Sequence, residues 1–242
     1  YRGSEVVKTG KAEEIIQSPI KRTLKPRNNT FSILSDPIRQ LSSLSGVTYT
    51  NDYSSTLFIR GSRDYQSLVS LNNIPVLFPY HLGGIMSMFS GNSIEQIEFS
   101  PGIYSTEYNG YLGGRVDISP NYNNEEFNNN ISLGLHSSNI FHSNKIGPVE
   151  YFLCYRRTYF KFLTDLTGTD TFPYSFSDFQ TGIKYNINSS NDIEITMLHS
   201  KDNWDIDYSG VDKVKEDLVW GNRLLGLQYH YNKNNSKPNY RL

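Results

Sequence analysis

Cysteine, net charge and long apolar runs are all scarce in this sequence. Cys154 is the only cysteine, so no internal disulfide can form, and a small buried apolar role is the simplest expectation for it. The formal net charge is −1, which gives no reason to expect a nucleic acid as partner. No stretch of roughly eighteen apolar residues occurs, which excludes a membrane-spanning helix.

The motifs of common catalytic and cofactor sites are missing as well. The five histidines are scattered, and with a single cysteine they form no zinc-binding pattern. The sequence contains no G-x-S-x-G elbow, no Walker loop and no G-x-G-x-x-G fingerprint. We therefore predict no enzyme activity, no catalytic residues and no cofactor.

Aromatic residues, in contrast, are abundant. They make up 14% of the chain, with 18 tyrosines and 13 phenylalanines, while all hydrophobic residues together reach only 37%. In the second half of the chain, apolar side chains alternate with polar or small ones in four segments, at 131–135, 179–187, 193–197 and 225–231. A further strand is predicted at Glu150–Phe162, where the alternation breaks near Arg156 and Arg157. Such alternation is typical of strands that lie between lipid and a wet lumen.

The first half of the chain predicts short strands and two short helices instead. Asp36 and Pro37 can begin a helix that presents Ile38, Leu41 and Leu44 on one face and ends at Gly46. A second short helix is predicted near Ile85–Phe89. Asn72 and Asn73 favour a hairpin turn, because asparagine tolerates positive φ. Short strands are predicted at 57–60, 68–71, 74–77, 97–99 and 115–118.

The composition divides the chain into four parts. Residues 1–30 are predicted to be an N-terminal strand and linker, and residues 31–120 a small α+β domain. Residues 121–130, NYNNEEFNNN, form a polar connector. Residues 131–242 then hold about five strands of the alternating kind.

Five motifs within residues 57–119 follow one another in the order of a known family. They are LFIRGS, NNIPV, PYHLGG, IEFSPG and EYNGYLGGRVDIS. In this order they resemble the plug domain of TonB-dependent outer-membrane receptors, in a Bacteroidota-like form. The later segments YRRTYFKFL, SDFQTGIKYNIN and LVWGNRLLGLQYHYN look like barrel strands of the same family. The resemblance implies an α+β plug domain followed by antiparallel β-strands of an incomplete transmembrane β-barrel.

The resemblance also implies a location and a set of partners. We expect the outer membrane of a Gram-negative bacterium, uptake of a small-molecule or oligosaccharide substrate, and energy from the TonB–ExbB–ExbD complex. Five strands cannot close a barrel, since isolated bacterial barrels have at least about eight. The chain is therefore expected to be either a fragment of a longer receptor or a subunit completed by another pore-forming protein.

A different function is also open. The chain could be a separate gating subunit whose plug occludes the pore of another outer-membrane protein without TonB-driven transport. The incomplete barrel and the absence of a convincing TonB box favour this alternative. The outward-facing apolar strands from residue 131 on argue against it, because a soluble stopper would not need them.

Two arginines are the first candidates for a functional role. In the resembled family, arginines at the positions of Arg60 and Arg115 pair with glutamates of the inner barrel wall and lock the plug in place. Glu107 is a further candidate for that network. The alternative is that both arginines are ordinary exposed residues.

Two other groups of residues are candidates for ligand binding. Tyr80 and His81, in PYHLGG, are expected on a plug loop that faces substrate, although a histidine in such a turn can also be satisfied locally. Asp205, Asp207, Ser209 and Glu216 match the spacing of an EF-hand calcium loop. A strand pattern precedes them and Asp212 stands where an apolar residue is expected, so an acidic loop between strands is the favoured interpretation.

Overall fold

The N-terminal domain is built around a five-stranded sheet. The structure is a computed structural model that describes residues 22–26, 36–51, 54–102, 108, 110–122, 127–134, 137–159, 173–208 and 214–231. The strands of the N-terminal domain, defined here as residues 22–122, are β1 Arg22–Leu24, β2 Val47–Thr48, β3 Phe58–Ile59, β4 Leu68–Leu71, β5 Ile74–Pro75, β6 Tyr80–His81, β7 Met86–Ser87, β8 Ile94–Ser100 and β9 Arg115–Pro120. The main sheet has the order β1-β8-β9-β4-β5, with only β4 and β9 parallel, while β2 pairs with β3 and β6 with β7.

Short 3₁₀ helices connect these strands, at Ile38–Ser43, Asp64–Gln66, Leu82–Gly84 and Gly91–Ser93. The first is the helix predicted after Asp36, whose carboxylate accepts the Ile38 N–H at 2.8 Å. Its Ile38 and Leu41 side chains are fully buried against the sheet. The chain then turns at Gly46, whose φ is +85°.

The helix predicted near Ile85–Phe89 is wrong. The chain instead makes a 3₁₀ turn at Leu82–Gly84 and continues into strand β7. Gly84 has a φ of +106°, which is outside the helical region, so the helical hydrogen bonds end there and do not continue into residues 85–89. The turn at Asn72 and Asn73 is confirmed, because both have positive φ and they join β4 to β5.

The second half of the chain forms one open antiparallel sheet, called here the wall sheet. Its strands are β10 Asn128–Leu133, β11 Ser137–Ile146, β12 Val149–Thr158, β13 Tyr174–Asn188, β14 Asn191–Tyr208, β15 Val214–Trp220 and β16 Arg223–Tyr231. Neighbours in the chain pair in order from β10 to β14, and β15 and β16 both pair with β14. The predicted order, an α+β plug-like domain followed by antiparallel strands that do not close a barrel, is confirmed, although the helices of the described part are short 3₁₀ segments.

The described part of the wall sheet has seven strands instead of about five. β10 begins at Asn128, inside the segment predicted as a polar connector. β11 lacks an apolar face in sequence, because its exposed residues Ile140 and Ile146 are separated by polar ones while Phe141 is buried on the other side. The last predicted strand is divided into β15 and β16 at Gly221 and Asn222.

The two faces of the wall sheet differ as the alternation predicts. One face carries exposed apolar side chains, among them Ile183, Tyr185, Ile195, Met197, Leu225 and Leu227. The other face is buried and covers the N-terminal domain, where Leu198 joins the domain's apolar core. No helix within the described ranges is long and apolar enough to cross a membrane.

Candidate functional site

A fully buried histidine joins the N-terminal domain to the wall sheet. His81 lies on β6, and none of its surface is exposed. Its Nδ1 is 2.9 Å from Asp202 Oδ1 on β14, and its Nε2 is 3.0 Å from Asp178 Oδ2 on β13. The imidazole stacks on Phe176 with ring centroids 3.9 Å apart.

The surroundings of His81 favour its charged form. Burial lowers the pKa of His81, but the charge of Asp178 and hydrogen bonds with Asp178 and Asp202 outweigh burial, and Arg156 opposes them only in part. The net effect raises the pKa above its ordinary value. Both ring nitrogens face carboxylate oxygens, which accept only, so the imidazolium donates on both sides.

A wall arginine completes the charge balance of this site. Arg156 on β12 donates from Nε and Nη2 to Asp178 Oδ2, at 2.9 and 2.6 Å. The same guanidinium donates to the main-chain oxygens of Ser87, at 2.7 Å, and Phe89, at 3.3 Å. One wall cation therefore binds both a wall anion and the backbone of the N-terminal domain.

Tyr174 adds a third link. Its hydroxyl donates to Asp202 and accepts the main-chain N–H of Leu82 at 2.8 Å. We call His81, Arg156, Tyr174, Asp178 and Asp202 the latch. Its two cations and two carboxylates balance, which is the condition under which buried charges are tolerated.

Uncharged hydrogen bonds extend the contact on both sides of the latch. Gln180 donates to the Met88 oxygen at 2.7 Å and accepts the Ser93 hydroxyl at 2.6 Å. Further bonds of this kind are Asn72 Nδ2 to Thr196 Oγ1, Gln228 Nε2 to the Asn72 oxygen and Asn222 Nδ2 to the Phe78 oxygen. The interface is thus polar along much of its length.

The predicted arginines lie elsewhere. Arg60 is exposed, and its Nη1 donates to the Pro101 oxygen at 3.2 Å. Arg115 is buried, lies 3.3 Å from Asp117 and donates to Asn73 Oδ1 at 2.6 Å. Within the described ranges these contacts all stay inside the N-terminal domain. Glu107 lies outside the described residues, so the lock between these residues and the wall stays a prediction.

Tyr80 and His81 are not on an exposed loop. Both are buried, since Tyr80 accepts the Leu57 N–H through its hydroxyl and His81 is held between two wall carboxylates. The expected contact with substrate does not fit this placement. The motif PYHLGG instead contributes His81 and Leu82, which contact the latch residues of the wall.

The calcium hypothesis is wrong in its geometry. Asp205 and Asp207 lie within β14 and Glu216 within β15, where Asp205 pairs with Asp217 in the register. An EF-hand loop bends around its ion, and an extended strand cannot do so. The alternative, an acidic loop between strands, was predicted to begin too early, because strand β14 continues to Tyr208. Ser209 lies outside the described residues.

Sequence reasoning missed most of the latch. Its members Asp178, Asp202 and Tyr174 lie on strands whose inner positions look like any polar positions. One signal was present: the alternation breaks at Arg156 and Arg157, and only Arg156 faces inward.

Comparisons with known proteins agree with this architecture. Residues 26–114 match the family model of the TonB-dependent receptor plug domain. No curated protein matches. Among solved structures, a ferric enterobactin receptor mutant from Pseudomonas aeruginosa aligns with TM-score 0.60 and 13% identity, covering 90% of this chain and 39% of that one.

Two further structures give the same result. The ferric citrate transporter FecA, unliganded, aligns with TM-score 0.62 and 13% identity over 88% of this chain and 37% of its own. The ferric yersiniabactin uptake receptor FyuA from Yersinia pestis aligns with TM-score 0.61 and 13% identity over 88% and 38%. The chain therefore spans less than two fifths of these structures and has the fold of a receptor plug with its first wall strands.

Proposed function

We propose that this chain, whose residues 26–114 match the family model of the TonB-dependent receptor plug domain, is the N-terminal part of an outer-membrane receptor. In this receptor the plug gates substrate uptake through a β-barrel. The observation that carries the proposal is the buried latch, which seats the plug against the inner face of the wall sheet.

The sidedness of the wall sheet supports a place in the membrane. Its exposed face is apolar, as lipid requires, and its other face meets the plug. The turns at 147–148 and 189–190 are short, and in such barrels short turns lie at the periplasmic end. With these turns on the periplasmic side, strands β12, β13 and β14 extend toward the outside near Thr158, Tyr174 and Asp202, where the latch lies.

The chemistry of the latch suits a gate that must open. Removing one partner of a buried ion pair by mutation costs about 3–5 kcal/mol, because the other charge stays buried and unpaired, so each charge of the latch depends on its partner while the plug is seated. When the plug is pulled and water enters, the freed charges regain hydration. A polar contact can therefore be opened and closed again, whereas an apolar contact would expose surface that water does not stabilise.

We further propose that Arg60, Arg115 and Glu107 anchor the plug to the wall on its other side. Arg60 is exposed, and Arg115 Nε is buried without a hydrogen bond to any described group. Acidic side chains of the wall would satisfy both. Replacing both arginines by alanine in the complete receptor is expected to increase leak of small solutes, and Arg63→Ala, at an exposed arginine, is the control. Unchanged leak would remove these residues from the anchor.

The energy for opening would come from TonB with ExbB and ExbD. Ferric chelates are the first substrates to test, because the similar receptors named above carry them in their names. Other small molecules and oligosaccharides are the next substrates to test.

Uptake of labelled substrate into cells tests the proposal. Cells that carry the receptor should accumulate substrate only when TonB is present, and cells without the receptor should not. Equal uptake with and without TonB, or a protein found outside the outer membrane, would contradict the proposal.

A further inference from the structure

Three metal-ligating side chains converge on the inner wall, away from the latch. Asp192 and Glu194 lie on β14 and His230 lies on β16, with Asp192 and His230 directly opposite in the register. His230 Nδ1 is 2.7 Å from Asp192 Oδ1 and 3.9 Å from Glu194 Oε2. One ligand atom from each residue lies within 4.8 Å of the others.

The second ring nitrogen of His230 has an acceptor of its own. Gln228 donates its Nε2 to the Asn72 oxygen, so its Oε1 is free to accept. That oxygen lies 3.2 Å from His230 Nε2, which therefore carries the proton. Nδ1 then faces Asp192 Oδ1 at 2.7 Å, where it holds either a proton donated to that carboxylate or a lone pair that a metal ion can take.

The carboxylates around His81 are arranged differently from those around His230, and this difference favours a metal ion at His230. At His81 the two carboxylates lie on opposite ring nitrogens, so one proton on each nitrogen satisfies both. At His230 both carboxylates lie on the Nδ1 side, but only Asp192, at 2.7 Å, is within hydrogen-bond distance, and Glu194, at 3.9 Å, receives no hydrogen bond from the ring. A metal ion accepts electron pairs from all three atoms at once.

We propose that Asp192, Glu194 and His230 bind one divalent transition-metal ion of the zinc class. One imidazole nitrogen and two carboxylate oxygens are ligands that zinc takes, at about 2.0–2.2 Å, in a set that leaves a fourth position open. Ligand atoms in such a tetrahedron lie about 3.3 Å apart, and the observed 2.7 and 3.9 Å lie on either side of that value. The two negative charges neutralise a divalent ion.

A buried tyrosine next to the site lacks a hydrogen-bond partner. Tyr122 is 8% exposed, and its hydroxyl makes no hydrogen bond to any described group. The hydroxyl lies close to the Glu194 carboxylate, one of the three ligands. Gly182 leaves room for this hydroxyl, because a Cβ there would collide with it. Buried hydroxyls are normally bonded, and water on the open metal position would supply the missing partner.

Titration of the metal-free protein in detergent tests this site. After dialysis against a chelator, the full protein is titrated with Zn²⁺ by calorimetry and with Co²⁺ by visible absorption, which reports coordination geometry. We expect one ion per chain with a four-coordinate Co²⁺ spectrum. Ca²⁺ and Mg²⁺, which need more oxygen ligands, should compete poorly.

Variants separate this site from adventitious binding. His230→Gln and Glu194→Gln should each lower Zn²⁺ affinity by more than the roughly 10–100-fold typical of a residue outside the ligand set. Tyr122→Phe should lower it by about tenfold while leaving the melting temperature of the metal-free protein unchanged. His142→Gln is the control, since the ring of His142 contacts Asn129 and Tyr151 on the same sheet.

Two results would overturn the proposal. One is the absence of stoichiometric Zn²⁺ binding by the native protein. The other is Zn²⁺ affinity that is equal in the native protein and in folded His230→Gln and Glu194→Gln variants, with folding checked by circular dichroism.

Discussion

The core of the N-terminal domain and its interface with the wall sheet are built from different chemistry. The core packs apolar side chains such as Ile97, Phe99 and Val116, all fully buried. The interface also has apolar contacts, such as Met86 with Phe176, but it buries charged groups among them, with His81, Arg156, Asp178 and Asp202 at its centre. Apolar burial is stabilising only while water is excluded, whereas paired charges can exchange their partners for water. The domain is thus built to stay folded while its contact with the wall can open.

The largest effect is expected in the core. Phe99→Ala removes a fully buried ring from the main sheet, and such substitutions cost about 3–5 kcal/mol of unfolding free energy. Denaturant unfolding, monitored by hydrogen exchange in β8 and β9, measures this loss of unfolding free energy. Leu112→Ala is the control, because Leu112 is 82% exposed. Equal losses in both variants would contradict the apolar core described here.

A change at the latch should weaken docking without unfolding the domain. Arg156→Met leaves Asp178 without its guanidinium partner and Ser87 and Phe89 without a donor, at a cost of about 3 kcal/mol for plug seating. The control is Arg157→Met, since the neighbouring arginine faces outward and is exposed. Protease should cleave the plug faster in the folded Arg156→Met variant than in the unmodified protein, and cleavage should not change in the Arg157→Met variant. Equal cleavage of both would remove Arg156 from the latch.

Plug seating should also weaken as the pH rises. The folded pKa of His81 lies above its ordinary value of 6.5, because its carboxylate partners outweigh burial. Its stabilising contribution is therefore complete below about pH 6.5 and is lost as the pH rises through the raised pKa. The urea midpoint of plug release, followed by the fluorescence of Trp220 near Tyr174, should fall over that range. His81→Gln should remove this dependence, and a native midpoint that rises with pH would contradict it.

The smallest effect is expected at an uncharged contact. Gln180→Ala removes the bonds to the Met88 oxygen and the Ser93 hydroxyl, which together are worth about 1–3 kcal/mol. Plug release should become easier than in the native protein but remain harder than in Arg156→Met. Measuring both variants in one urea series establishes the order. A larger effect for Gln180→Ala than for Arg156→Met would contradict the central role of the charged groups in this interface.

Local patterns predicted the elements but not the latch. The two-residue period gave β13 and β14, and the pair Asn72 and Asn73 gave the β4–β5 turn. β11 was missed because both of its faces mix apolar and polar residues, with Ile140 and Ile146 outward and Phe141 inward, which removes the alternation. His81 pairs with residues 97 and 121 positions away in the chain, and no local pattern reports such a distance. The arginine motifs drew attention to Arg60 and Arg115, while Arg156 was marked only by a break in the period.

The proposed function requires the plug to leave the wall at this interface for uptake to occur. Ser93 and Gln180 face each other across it, which makes Ser93→Cys with Gln180→Cys a suitable pair for a short reducible thiol cross-linker, in a Cys154→Ser background. Each single-cysteine variant is a control for labelling. We predict that the cross-link abolishes TonB-dependent uptake, leaves substrate binding intact and is reversed by reductant. Full uptake by the fully cross-linked receptor would contradict the account.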